Sequence, residues 1–118
     1  MATIHLRPLK KADWKHFYDN PLQETVRGIV AETDEGELVG IGGVIYSQPL
    51  QCFSTIYRPM RQQRRVMVEA VRQIREILNK FAVPVYARVQ ADEPTSPGFL
   101  KHIGFRRVSE DIFVWETQ

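Results

Sequence analysis

The sequence predicts an α/β domain built on one mixed sheet, and three observations carry that expectation. Short β-rich runs and helical runs follow one another in the order β-α-β-β-β-α-β-α-β. One long amphipathic stretch separates the fourth strand from the fifth. Near the C-terminus a short helical segment stops on Gly104, and a further strand begins at once. At 118 residues the chain can build one core but not two, so residues 1–118 read as a single domain.

Residues 3–7 alternate apolar Ile4 and Leu6 with other residues, as a half-buried strand does. Pro8 ends that strand. Residues 9–19 then carry Trp14, Phe17 and Tyr18 at helical spacing until Asn20-Pro21 breaks the helix. Two β-rich runs, residues 26–33 and 38–46, are joined by Asp34-Glu35-Gly36-Glu37, a hairpin turn with Gly36 available for a positive φ. Gly40, Gly42 and Gly43 in the second run predict a bulge or a close approach by another backbone.

Residues 52–57 form the fourth strand, with room to start one or two residues earlier. The main helix is predicted over residues 61–81, where Val66, Ala70, Val71, Ile74, Ile77, Leu78 and Phe81 share one stripe. Pro84 limits that helix, and residues 83–89 make a short apolar strand. A helix over residues 96–103 and a strand over residues 106–115 complete the order. Trp14, Phe17 and Trp115 read as core.

Composition narrows the function classes. Apolar residues at 43% and charged residues at 25% are ordinary for a globular protein. No apolar run approaches the length of a membrane helix, and the first residues lack a signal-peptide apolar stretch. The lone Cys52 excludes an internal disulfide and a Cys-based zinc site, and it reads as a small buried apolar residue. His5, His16 and His102 have no metal-ligand spacing, so no metal is expected. These features together lead to the expectation of a cytoplasmic protein.

The net charge of +2 hides an uneven distribution. Seven basic residues (Arg58, Arg61, Arg64, Arg65, Arg72, Arg75 and Lys80) face only two acids, Glu69 and Glu76, in the same stretch. A solvated helix face explains them blandly. A phosphate site explains them more sharply, because four of the arginines lie just before and at the start of a helix. Nucleic acid is not expected, since the stretch interleaves little aromatic character beyond Tyr57.

Residues 93–105, Glu-Pro-Thr-Ser-Pro-Gly-Phe-Leu-Lys-His-Ile-Gly-Phe, resemble the C-terminal motif of the GNAT (Gcn5-related N-acetyltransferase) family, N-x-x-A-x-x-[FY]-[YFL]-x-x-x-G-F. Phe99, Leu100, Gly104 and Phe105 fall on its hydrophobic and glycine positions. Glu93 stands in the usual Asn slot, and Leu100 in a slot where catalytic members often have Tyr. The opening Ile4-His5-Leu6-Arg7-Pro8-Leu9 with Asp13 and Phe17, and the hairpin from Ala31 to Gly40, are similar to the family's beginning. The resemblance implies the GNAT fold, with a mostly antiparallel mixed sheet flanked by helices and the family's second helix missing.

It also implies an acyl-CoA cofactor, acetyl-CoA in particular, and an amine or protein as acyl acceptor. The family's Q/R-x-x-G-x-G/A loop corresponds to Arg61-Gln62-Gln63-Arg64-Arg65-Val66, with Arg64 and Val66 in the glycine positions. Ile56, Tyr57, Arg61, Arg64, Arg65, Val66, Glu93 and Phe99 are the cofactor-binding residues the resemblance implies. Either Arg64 and Arg65 replace backbone amides by pairing with phosphate, or they are a polar helix start. The fourth strand carries no carboxylate or histidine for a general base. Glu32 and Ser96 are the catalytic candidates, with Glu24, His102 and Tyr86 as further offers.

Two readings stay open. In one, the chain is a GNAT-like N-acyltransferase whose acceptor side, lacking the second helix, is open to a large substrate or a protein partner. In the other it has the fold without the chemistry. The ending Phe99-Leu100-Lys101-His102-Ile103-Gly104 is similar to that of small proteins of tailed bacteriophages, including internal virion proteins. That similarity implies a binding or virion-structural role, in the host cytoplasm or the virion. Neither reading fixes an oligomeric state.

Overall fold

Period-two alternation builds the first strand. In β1 (Ile4–Pro8), Ile4 and Leu6 turn to the core and Arg7 to the opposite face. The computed structural model describes residues 3–89 and 96–116. In these a seven-stranded sheet runs in the order β1-β2-β3-β4-β5-β7-β6. Its strands are β1, β2 (Val26–Thr33), β3 (Leu38–Ile45), β4 (Leu50–Ile56), β5 (Val85–Arg88), β6 (Arg106–Arg107) and β7 (Ile112–Trp115). Only β4 and β5 pair in parallel; every other pairing is antiparallel. This is the mixed sheet that the element order predicts, and the mostly antiparallel one that the family resemblance implies.

The expected N-terminal helix over residues 9–19 is corrected to a single 3-10 helix, Lys11–His16. Its first turn is tied down early. The Asp13 carboxylate accepts the Lys10 amide at 2.8 Å and both Arg7 guanidinium nitrogens at 2.9 Å. Its exit is tied as well, because Trp14 Nε1 donates to the Asn20 carbonyl at 2.8 Å. Trp14 and Phe17 are therefore half-buried on the outer face of the sheet rather than central to the core, whereas Trp115 is buried. No second helix stands between β1 and β2.

The β2–β3 hairpin turns at Gly36 with φ +84°, as the sequence predicts. The close approach expected in β3 is real. A Cβ on Gly43 would stand 2.2 Å from the Arg27 carbonyl oxygen, and one on Gly28 at the same distance from that of Gly42. The register also shifts at Ala31–Glu32, a bulge on the partner strand.

The predicted helix over residues 61–81 is broken into α1 (Arg58–Arg61) and α2 (Arg64–Leu78). Met60 anchors the chain just before the break. Its side chain is buried against Gly40, where a Cβ would lie 2.3 Å from the Met60 sulfur, and Gln63 then adopts an extended backbone before α2 starts. Ala70, Ile74, Ile77 and Leu78 of α2 pack on the inner face of the sheet with Val44, Cys52, Val85 and Ala87. The helix ends before Phe81, which packs on Tyr46 at 5.4 Å between ring centroids.

Helix α3 (Ser96–Ile103) falls on its predicted residues and buries Phe99, Leu100 and Ile103. Gly104 then takes φ +123°, while the amides of Gly104 and Phe105 both donate to the Leu100 carbonyl. The strand predicted over residues 106–115 is instead a hairpin of β6 and β7. Arg107 holds the intervening turn through the carbonyls of Ser109 and Glu110.

Two stability predictions follow from these ties. Replacing Gly104 with Ala should cost about 1–3 kcal/mol in urea unfolding, because an L-residue is strained at that φ. Arg7 holds the Asp13 carboxyl below its ordinary value near 3.8. A depressed folded pKa gives stability that is present above that value and lost as pH falls through the folded one. Wild-type unfolding free energy should therefore drop below pH 4, and Asp13→Asn should flatten that dependence.

Candidate functional site

The parallel pairing of β4 with β5 is short: Leu50 with Val85, Gln51 with Tyr86, Cys52 with Ala87, and no further. From Phe53 to Ile56, β4 keeps β3 on one edge and has no strand among the described residues on the other. Antiparallel alternation sets which groups face that open edge. The Tyr57 amide donates to the Val39 carbonyl of β3, so the polar groups of Ser54 and Ile56 turn the other way, into the opening. Arg61 reaches back to fill part of it and donates to the Ile56 carbonyl at 2.9 Å.

On the inner face the opening continues towards a groove of about 820 Å³ between α2 and α3. Met67, Val68, Val71 and Phe99 give it apolar walls, and Arg61, Arg64 and His102 rim it. Val68 is 62% exposed, an apolar side chain that α2 does not bury. Gln63, at the helix cap, contributes no side-chain cap bond, and the first turn of α2 holds Arg64 and Arg65 without an acid. Amides in a helix's first turn have no intrahelical acceptor, so this end is doubly positive. Both acids of α2 are engaged elsewhere, by Arg72, which holds the Glu69 carboxyl at about 2 through its hydrogen bonds.

The structure thus brings Ile56, Arg61, Arg64 and Phe99 of the sequence-predicted set to one opening and its groove. Arg65 is exposed on the first turn of α2, and Val66 packs against the core. Tyr57 lies on the outer face, its ring stacked on Phe17 at 5.5 Å. Glu93 lies outside the described residues. Ser96 is the first residue of α3. Glu32 is two strands from β4 and accepts Arg7 at 3.1 Å. Glu24 is exposed in the approach to β2, and Tyr86 on the outer face of β5.

Some of the site was missed in the sequence. The outer face of β4 is walled by Trp14 and Tyr18, 5.2 and 6.1 Å from Phe53, and the Tyr18 hydroxyl bonds that of Thr55 at 2.7 Å. The available signal was the alternation of Gln51, Phe53 and Thr55 along β4. Among the described residues no group of histidines, cysteines and carboxylates is arranged to hold a metal ion.

No protein-family model matches the sequence, and no curated protein matches it significantly. Solved structures do match its fold. A dodecameric spermidine N-acetyltransferase from Vibrio cholerae superposes with a TM-score of 0.60 at 14% identity, covering 97% of this chain and 94% of that one. The same organism's enzyme in complex with CoA and spermine gives 0.52 at 17% identity, covering 94% and 92%. The chain therefore has the GNAT fold over nearly its whole length.

Burial pushes the Cys52 thiol up to about 12, which removes its nucleophilicity. Iodoacetamide at pH 8 should leave the folded protein unmodified by mass spectrometry and label it fully in denaturant.

Proposed function

We propose that this chain is an acyl-CoA-dependent N-acyltransferase, with acetyl-CoA as donor and an amine as acceptor. The opening of β4 beside β5, leading into a basic-rimmed groove at the start of α2, carries the reading. Solved structures of the same fold support it, since their names describe N-acetyltransferases and one is a complex with CoA and spermine.

The residues present fit acyl-CoA in a particular way. Glycines that elsewhere let a backbone approach a pyrophosphate are absent, because Arg64, Arg65 and Val66 head α2. The same turn offers free helical amides and two guanidinium groups with no carboxylate partner among the described residues. Arginine recognises phosphate oxygens bidentately, so direct pairing replaces the glycine cradle. Met67, Val68, Val71 and Phe99 give the groove apolar contact area for the rest of the cofactor.

Acyl-CoA would supply a thioester carbonyl for attack by the amine nitrogen: the C–N bond forms, the C–S bond breaks with its electron pair leaving on the CoA thiolate, and the amine proton goes to water. The amides of Ser54 and Ile56 polarise the carbonyl from the open edge of β4. The chain otherwise acts by holding both reactants in line. No carboxylate lines the opening or the groove among the described residues, so the amine must arrive neutral. The rate should therefore rise with pH through the acceptor amine's own titration.

The absent glycines and the lack of a base favour a second reading, in which the fold serves binding or a virion-structural role. Calorimetry with acetyl-CoA separates the two. Binding should raise stability by about 2.7 kcal/mol at a hundredfold excess over Kd. Arg64→Ala with Arg65→Ala should weaken that binding by about 2–3 kcal/mol, the loss expected for charge-assisted contacts. Absence of any binding or thermal shift at millimolar acetyl-CoA sinks the enzyme reading.

A further inference from the structure

The outer face of the sheet, turned away from α2 and α3, holds a second cavity of about 330 Å³, lined by Pro49, Gln51, Tyr86, Ala87, Arg88 and Ile112. It spans the β4–β5 pairing and reaches just past its last pair. Gln51 is level with Tyr86, and Arg88 is the first β5 residue beyond the last pair, Cys52 with Ala87. Alternation along β5 buries Val85 and Ala87 and leaves Tyr86 and Arg88 exposed on this face.

The polar lining is one guanidinium, one phenol and one carboxamide, with no acid. Arg88 has no carboxylate partner among the described residues; Asp111, beside Ile112, takes the Ser109 hydroxyl at 3.4 Å instead. An exposed arginine flanked by two hydrogen-bonding side chains in a concave site is a receptor for a carboxylate.

We propose that this cavity holds the carboxylate of the acyl acceptor, and that the acceptor is a free amino acid. The inference rests on the acyltransferase reading of the β4–β5 opening. If the α2–α3 groove takes the nucleotide end of acyl-CoA, the acceptor enters from the outer face, where no helix covers β5 among the described residues. Arg88 is on the side of the cavity nearest the opening, one residue past the last β4–β5 pair. A carboxylate bound there directs the α-amino group of an amino acid towards the open edge of β4, where the Ser54 amide is the first that turns into the opening. Trp14, Tyr18 and Phe53 form an aromatic wall on the other side of β4 for the amino acid's side chain. A linear polycation would instead meet Arg88 as a like charge.

The test begins without CoA, so that the pocket and the acyltransferase reading fail separately. Each of the common amino acids is added to the wild type and to Arg88→Ala, and thermal shift is followed. At least one amino acid should stabilise the wild type, its decarboxylated amine should bind at least tenfold more weakly, and Arg88→Ala should lose the effect. Arg88→Lys, which keeps the charge and loses the fork, should fall between. No shift with any amino acid, or a shift retained in Arg88→Ala, overturns the proposal. In the transfer assay Arg88→Ala should raise the acceptor KM at least tenfold with acetyl-CoA affinity unchanged. Faster acetylation of spermidine than of every amino acid would likewise overturn it.

Discussion

The rest of the site depends on one constraint, the brevity of the parallel pairing between β4 and β5. Three residue pairs join the two strands, and then β4 continues for four residues without a neighbouring strand on that edge among the described residues. A β-strand in mid-sheet must satisfy its backbone groups on both sides. Here one edge is satisfied by β3, and the other turns the amides of Ser54 and Ile56 into the opening, with the Ile56 carbonyl taken by Arg61. The α2–α3 groove meets this gap through Arg61, which bonds the Ile56 carbonyl, and the outer-face cavity reaches its edge at Arg88.

Packing on either side keeps the gap defined. On the inner face, Met60 docks on Gly40 and Arg61 bonds the Ile56 carbonyl, which places the start of α2 beside the end of β4. On the outer face, the Arg7–Asp13 pair fixes the 3-10 helix, and that helix carries Trp14 and Tyr18 onto Phe53. The pair is mostly shielded, with Arg7 28% and Asp13 9% exposed at the side chain, so solvent screens it less than a surface ion pair. Glu32, which also meets Arg7, belongs to this structural cluster by position.

Electrostatics divides the two faces of the opening in an unusual way. Guanidinium groups stand on both, Arg61 and Arg64 at the groove and Arg88 at the outer cavity. The solved structures of similar fold are named for spermidine and spermine, which are cations. At 14–17% identity the likeness reaches the fold and stops there. What lines the opening in this chain is its own, with guanidinium groups on each side.

The sequence by itself determined the order of the elements, the turn at Gly36, the apolar stripe of α2 and the stop of α3 at Gly104. Each of these is written in local periodicity or in the conformational freedom of a single residue. The arginines at the start of α2 were legible for the same reason. Tertiary structure decided the rest. Whether residues 9–19 form a long helix depends on Arg7 and Asn20, and the anchor just before the break at Arg64 depends on Met60 meeting a strand distant in sequence. The place of Arg88 depends on where two strands part, which no run of residues encodes. Local pattern says which face a side chain takes, but only the pairing of distant strands says what stands opposite it.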